Sequence, residues 1–263
     1  VTKTDKPGID IIIKAGTKNE SVHIPVILSK TGHTEMVYND FYVGEGADVT
    51  IVAGCGIHNA GDEESRHDGI HAFHLAAGAR LRYVEKHYGS GDGIGKRVMN
   101  PTTIIELAED AYMEMESTQI KGVTSTIRET EATLAAGATL IVREKIMTHG
   151  QQVAETNFKV DLNGEGSSAQ LMSRSVAKGE SKQVFRSQIN GNAKCSAHSE
   201  CDAIIMDSAS VSAIPEVTAN HLDAALIHEA AIGKIAGEQL IKLMTLGLTE
   251  QEAEEQIVSG FLK

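Results

Sequence analysis

Tryptophan is absent from this 263-residue chain, and aromatic residues make up only 4% of it although 41% is hydrophobic. A core without bulky ring anchors must be filled by Val, Ile, Leu, Ala and Met in small repeated layers. Basic runs are also missing. With a formal net charge of -12, the chain is an unsuitable partner for a phosphate backbone, so nucleic acid is excluded as a ligand. No apolar run approaches the roughly 18 residues of a membrane span, and Val1 to Gly16 lacks a charged-then-apolar leader pattern. There are three cysteines, an odd and small number. They argue against a disulfide framework and fit a reducing compartment, so a soluble, cytoplasmic protein without membrane contact is expected. In that setting the Asn19-Glu20-Ser21 sequon carries no weight.

What is present is a pattern. After a mixed segment, 1–20, whose apolar patch Ile11-Ile12-Ile13 suits either a first strand or an arm, short alternating runs are separated by small-residue turns. Gly44-Glu45-Gly46-Ala47-Asp48 precedes Val49 to Val52, and Ala77-Gly78-Ala79 precedes Arg80 to Tyr83. Glu109-Asp110-Ala111 and Ala136-Gly137-Ala138 repeat the wording at a period of about 30 residues. No amphipathic helix fits between the turns, which disfavours alternating βαβ units. Stacked coils of short strands, a parallel β-helix over 21–226, account for both the period and the scarcity of rings. A β-sandwich is the alternative.

The turn wording continues to Asp207-Ser208-Ala209 and stops at Pro215. From there 227–263 reads as helical. Ile232, Ile235, Leu240, Leu243 and Met244 lie on one stripe of a helix expected over roughly 229–246, closed by Gly247. Thr249 with Glu252 forms a capping box that opens a second helix through Ile257, with Gly260 as its end and Phe261 beyond.

Catalytic motifs are scarce. Gly89 to Lys96 resembles a phosphate loop, but Ser90 stands where glycine is needed and Arg97 where Ser or Thr is needed, so no nucleotide site is expected on this chain. On a strand, His67 and His71 share a face and His74 lies opposite, which does not supply a three-ligand zinc site locally. Cys55, between Gly54 and Gly56, is expected to be an accessible thiol. Cys201 and the pair His228-Glu229 stand where strands give way to the tail. A thiolate, an imidazole and a carboxylate together suit iron or another transition metal better than magnesium or calcium. Cys195 reads as structural.

Several segments in order resemble the SufB/SufD family of iron–sulfur cluster assembly scaffolds. They are Val52-Ala53-Gly54-Cys55, Ile70-His71-Ala72, Gly78 to Tyr83, Cys201 to Met206, His228-Glu229-Ala230, Gly237 to Leu240, Gly247 to Glu250 and Ile257 to Phe261. The resemblance implies a right-handed parallel β-helix with C-terminal helices, a transient Fe–S cluster, and a SufC-like ABC ATPase carried on those helices through Ile232, Ile235, Leu240, Leu243, Met244, Ile257 and Phe261. By the same resemblance Cys55 takes the place of the sulfur-accepting cysteine, Cys201 that of the cluster cysteine, and His228 and Glu229 its neighbouring motif. Ile227 stands where SufB is acidic and Ala209 where SufB has a further cysteine. A compact chain with features of both relatives implies a homodimer through the β-helix. The expected role is a non-enzymatic scaffold, with ATPase activity in the partner. The competing expectation, a β-helix enzyme acting on carbohydrate or using His67, His71 and His74 as a metal site, calls for a face rich in aromatics or clustered Asp.

Overall fold

A computed structural model describes residues 1–263. The chain opens with β1 (Gly8–Ile13), β2 (Lys18–Leu28), β3 (Thr34–Val43) and β4 (Asp48–His58). It continues through β5 (Ser65–Leu75), β6 (Arg80–Ser90), β7 (Arg97–Met99), β8 (Thr102–Leu107) and β9 (Tyr112–Lys121). The later coils hold β10 (Ser125–Leu134), β11 (Thr139–Thr148), β12 (Val153–Leu162) and β13 (Ser168–Ala177). The last are β14 (Lys182–Gly191), β15 (Ser196–Ile205), β16 (Ser210–Ala219) and β17 (Ala225–Gly233), before α1 (Gly237–Thr245) and α2 (Glu250–Phe261).

Strands alternate between two sheets. One sheet runs β1-β3-β5-β7-β10-β12-β14-β16, with β8 prolonging the β7 rung, and the other runs β2-β4-β6-β9-β11-β13-β15-β17. Every strand pair in both sheets is parallel. The molecule is therefore a parallel β-helix whose two flattened walls face each other across one interior, as the turn period predicts.

The repeated turn wording has a backbone cause. Gly16, Gly46, Gly78, Asp110, Gly137 and Gly166 all adopt positive φ at the corner leading into the second sheet. Their amides form a ladder along the axis, Gly46 N–H to the Ala77 carbonyl, Gly78 to Glu109, Asp110 to Ala136 and Gly137 to Glu165. Glycine adopts that conformation without a Cβ clash, and Asp is among the few other residues that tolerate it.

The coil extends beyond both expected limits. Residues 8–13 pair with β3, so the first segment contributes a strand from Gly8 onward. Pro215 does not end the solenoid. It lies within β16, opposite Ser187, on the terminal strand of its sheet, where one edge has no neighbour and a missing N–H is tolerated. A side-chain ladder also runs through this region, Asn220 donating to Asn192 and Asn192 to Asn163, each at 2.7 Å. The helix expected from residue 229 begins only at Gly237, because 225–233 pair with β15 as a further rung. Pairing to a preformed edge overrides the helical spacing of a short Ala-rich stretch. The second helix opens as expected, with Thr249 and Glu252 in a reciprocal capping box, but it runs through Gly260 to Phe261. Gly247 closes the first helix at φ 96. No helix is long and apolar enough to cross a membrane.

Candidate functional site

The period-2 alternation of each strand sends every second side chain inward. At the corner where the second-sheet strands begin and the first-sheet strands end, these side chains are apolar. Leu81, Tyr83, Met113, Met115, Leu140 and Leu171 face Phe41, Phe73, Leu134 and Leu162 in one buried core. Further along the same strands the inward residues turn polar. Glu85, Ser117, Glu144, Ser173 and Cys201 occupy successive register positions on β6, β9, β11, β13 and β15. All five are buried.

Hydrogen bonds join this column to the opposite wall. Asn39 Nδ2 donates to His71 Nε2 at 3.3 Å, His71 Nδ1–H donates to Tyr83 Oη at 2.9 Å, and Tyr83 OH donates to Glu85 Oε1 at 3.0 Å. Arg128 donates to Glu85 Oε2 at 2.6 Å and to His87 Nδ1 at 3.0 Å. Its Nε lies 3.4 Å from Glu144 Oε1 without forming a hydrogen bond. Thr156 and Ser173 each donate to Glu144 at 3.0 Å. These donor roles make His71 a neutral imidazole. Burial alone would raise the Glu85 carboxyl, but His87 and Arg128 hold it well below the usual carboxylate range. At Glu144 burial outweighs Arg128 and pushes the carboxyl up.

Cys55 and Cys201 stand at the two ends of this polar file. Cys55 pairs in register with His87, diagonal to Glu85, and Cys201 pairs with Ser173. Cys55 is 4% exposed, which corrects the expectation of an accessible thiol. The glycine at 56 serves packing instead, since a Cβ there would lie 2.4 Å from the Tyr88 ring. Burial and the Glu85 charge push the Cys55 thiol up to about 12. Burial, then Glu144 and Asp202, do the same to Cys201. Neither thiol ionises unaided at neutral pH. Cys195 is buried in the apolar core.

The pleat divides the expected ligand set. Ser199 pairs with His228, Glu200 with Glu229, and Cys201 with Ala230. Cys201 and His228 therefore share the inner face as diagonal neighbours, whereas Glu229 points to the outer face. His228 Nδ1 is buried with no hydrogen-bond partner, and burial, reinforced by His198, lowers its pKa. It is thus a neutral imidazole with a free donor atom, the form that binds metal. On the outer face Glu229 instead meets His198 at 2.9 Å, with Glu200 close by.

His67 and His71 face inward and His74 outward, as the alternation predicts. His67 Nδ1 lies 3.0 Å from Glu35, and His74 lies 2.7 Å from Glu106. The three do not converge.

The tail residues also separate. Ile235 and Phe261 turn back onto the solenoid, packing with Val258 and Leu262 against Val176 and Met206. Ile232 lies on the last strand. Leu240, Leu243 and Ile257 are half-buried, and Met244 is exposed beside Ile241 and Leu246.

Sequence reading missed Glu85, His87, Arg128 and Glu144. The available signal was a charged residue on the inward phase of an alternating strand, as in Leu140-Val142-Glu144-Ile146.

A family model described as SUF system FeS cluster assembly, SufBD core domain, matches residues 27–261. Among similar proteins, an iron-sulfur cluster assembly SufBD family protein of Archaeoglobus fulgidus is 31% identical over 247 residues, covering 92% of this chain and 65% of that protein. One from Methanothermobacter thermautotrophicus is 29% identical over 234 residues, covering 87% and 55%. One from Methanocaldococcus jannaschii is 29% identical over 255 residues, covering 96% and 79%. The chain thus spans less than two thirds of the length of the first two of these relatives.

Proposed function

The chain belongs to the SufBD family of iron–sulfur cluster assembly proteins, and from that membership we propose that it is a scaffold on which a cluster is built as cargo and then released. The observation that carries this reading is the buried polar file linking Cys55 to Cys201. A wall that needed only stability would be filled with aliphatic side chains there, as it is at the opposite corner. Ser117 Oγ, Gln119 Oε1, Thr103 Oγ1 and Thr130 Oγ1 are buried without a protein partner along the same interior. Such groups favour a polar guest inside the coil.

In this reading sulfur is accepted at Cys55 and the nascent cluster is held at Cys201 and His228. A single thiolate with an imidazole makes a weaker site than four cysteines, which suits a cluster that must leave. Iron takes the place of the Cys201 proton, so the raised thiol is no obstacle once metal arrives. Because both thiols are buried, loading requires the coil end to open.

A SufC-like ATPase docked on α1 and α2 would drive that opening as a rigid-body switch, and the exposed Ile241, Met244 and Leu246 support such docking. The free edges of β16 and β17, with Ile214, Val217, Ile227 and Ile232 exposed, support a homodimer formed end to end. Cytoplasmic work in a reducing compartment fits the three free thiols.

Anaerobic reconstitution with iron and sulfide, followed by absorption spectra and iron and sulfide analysis, tests the assignment. The parent should acquire a cluster chromophore, Cys201→Ser should lose it, and His228→Ala should retain it more weakly. A Cys201→Ser variant that holds cluster as well as the parent sinks the assignment.

A further inference from the structure

On the outer face of the second sheet, carboxylates generally meet cations on neighbouring strands: Glu114 with Arg143, and Glu116 with Arg82 and Lys145. The last two rungs break that pattern. Glu200 on β15 pairs directly in register with Glu229 on β17, so two like charges stand one strand apart on one face. Asp202, two residues along on the same face, adds a third carboxylate, and Arg174 lies opposite Asp202 rather than between the glutamates. The group that does reach the pair is His198, whose Nε2 is 2.9 Å from Glu229 Oε1. The candidate donor atoms of His198, Glu200 and Glu229 all lie within 4.8 Å of one another.

We propose that His198, Glu200 and Glu229 form a divalent transition-metal site on the outer face, separate from the inward thiol and imidazole of Cys201 and His228. One imidazole and two carboxylates make an N/O donor set that suits ferrous iron and its first-row neighbours and leaves coordination positions open for water or an incoming ligand. A cation there neutralises the opposed glutamates, neither of which has a Lys or Arg within salt-bridge distance, Arg174 acting on Glu200 only from further away. The sheet separates the two sites by donor softness. Hard donors face solvent, where hydrated Fe(II) arrives, and the soft thiolate faces the interior. That the resident ion is iron rests on the assembly reading; the existence of the site does not.

The test is an anaerobic titration with Co(II) alone, followed by displacement with Fe(II). The intact chain should bind a single equivalent of Co(II) with the spectrum of N/O coordination and no sulfur-to-metal charge-transfer band, and Fe(II) in large excess should compete it off, since Fe(II) binds such donors more weakly than Co(II). The Cys201→Ser variant should bind Co(II) as the parent does. His198→Ala and Glu200→Gln should each weaken binding by about tenfold or more. All three site side chains lie on the outer face, so unchanged thermal melts will verify that these variants fold. Absence of Co(II) binding to the parent, loss of binding in Cys201→Ser, or parental affinity in both outer-face variants overturns the site. Failure of cluster reconstitution with Co(II) binding intact counts against the scaffold reading alone.

Discussion

The two halves of the solenoid interior come from the same strands and differ in almost everything else. At one corner Phe41 and Phe73 stack with centroids 4.5 Å apart, and Tyr83 packs on Phe73 at 4.7 Å, within a continuous aliphatic core. A few residues further along, Glu85, His87, Arg128 and Glu144 are as deeply buried as those rings. The apolar half is what holds coils together, since removing such area from water is the main favourable term in folding. The polar half offers no comparable gain. Desolvating an ion pair costs several kcal/mol per ion in principle, and the Arg128–Glu85 contact at 2.6 Å at best offsets that. A coil built for stability alone would have no reason to keep it. The proposed scaffold role rests on this contrast, a polar interior between the two thiols and an apolar one beside the glycine ladder.

The sharpest way to break this contrast is to make the polar half apolar. Glu85→Ala leaves the Arg128 guanidinium buried without its main partner and should cost about 3–5 kcal/mol, read from the urea midpoint. Glu85→Leu combined with Arg128→Met removes both buried charges and should recover most of that loss, the remainder being the partners that Tyr83, His87 and Glu144 lose. Reconstitution of the cluster should nevertheless fail in the double variant. If the double variant is as unstable as the single one, the polar file is structural and the division proposed between the halves collapses.

The converse experiment enlarges a hole in the apolar half. Leu81 is 1% exposed and far along the solenoid from Cys201. Leu81→Ala should lower stability by about 2–4 kcal/mol through lost transfer energy and a residual cavity. Below its melting temperature the variant should still take up cluster to the parental iron content. Loss of cluster without loss of fold would show that the apolar half also participates in assembly.

How far the sequence revealed this division depends on what each feature requires. The coil period was legible because a positive-φ residue recurs at six successive corners from Gly16 to Gly166, and few residue types satisfy it; even Asp110 betrayed itself by standing in a glycine's place. The Thr249–Glu252 cap was legible because it is made within one turn of chain. The splitting of Cys201 from Glu229 was not. It depends on Cys201 pairing with Ala230 rather than with a residue one step away, and a one-residue change of register reverses every face. Likewise Glu85 and Arg128, 43 positions apart, meet only across the interior, where no local pattern joins them. Strand alternation placed His67 and His71 on one face but said nothing of their partners.

The smallest expected effect sharpens the contrast through pH. His71 lies between Asn39 and Tyr83 as a neutral imidazole, and burial lowers its pKa to about 4 against an ordinary value of 6.5. In the unfolded chain the same ring takes up a proton near 6.5, while the folded chain refuses it until about pH 4. The unfolded state therefore binds more protons throughout that window, and stability is complete above 6.5 and declines as pH falls. His71 should contribute a slope of about 1.4 kcal/mol per pH unit there. Glu85, held low by His87 and Arg128, adds its own loss only below the ordinary carboxylate range. Denaturation curves at successive pH values should thus show a decline between 6.5 and 4 that is flattened by about that slope in His71→Gln. An equally steep decline in the variant would mean that other groups carry the acid limb and that His71 is less isolated from water than its place in the polar file implies. A flattened decline would show the polar half to be the part of the interior that senses protons, as it is the part that faces the thiols.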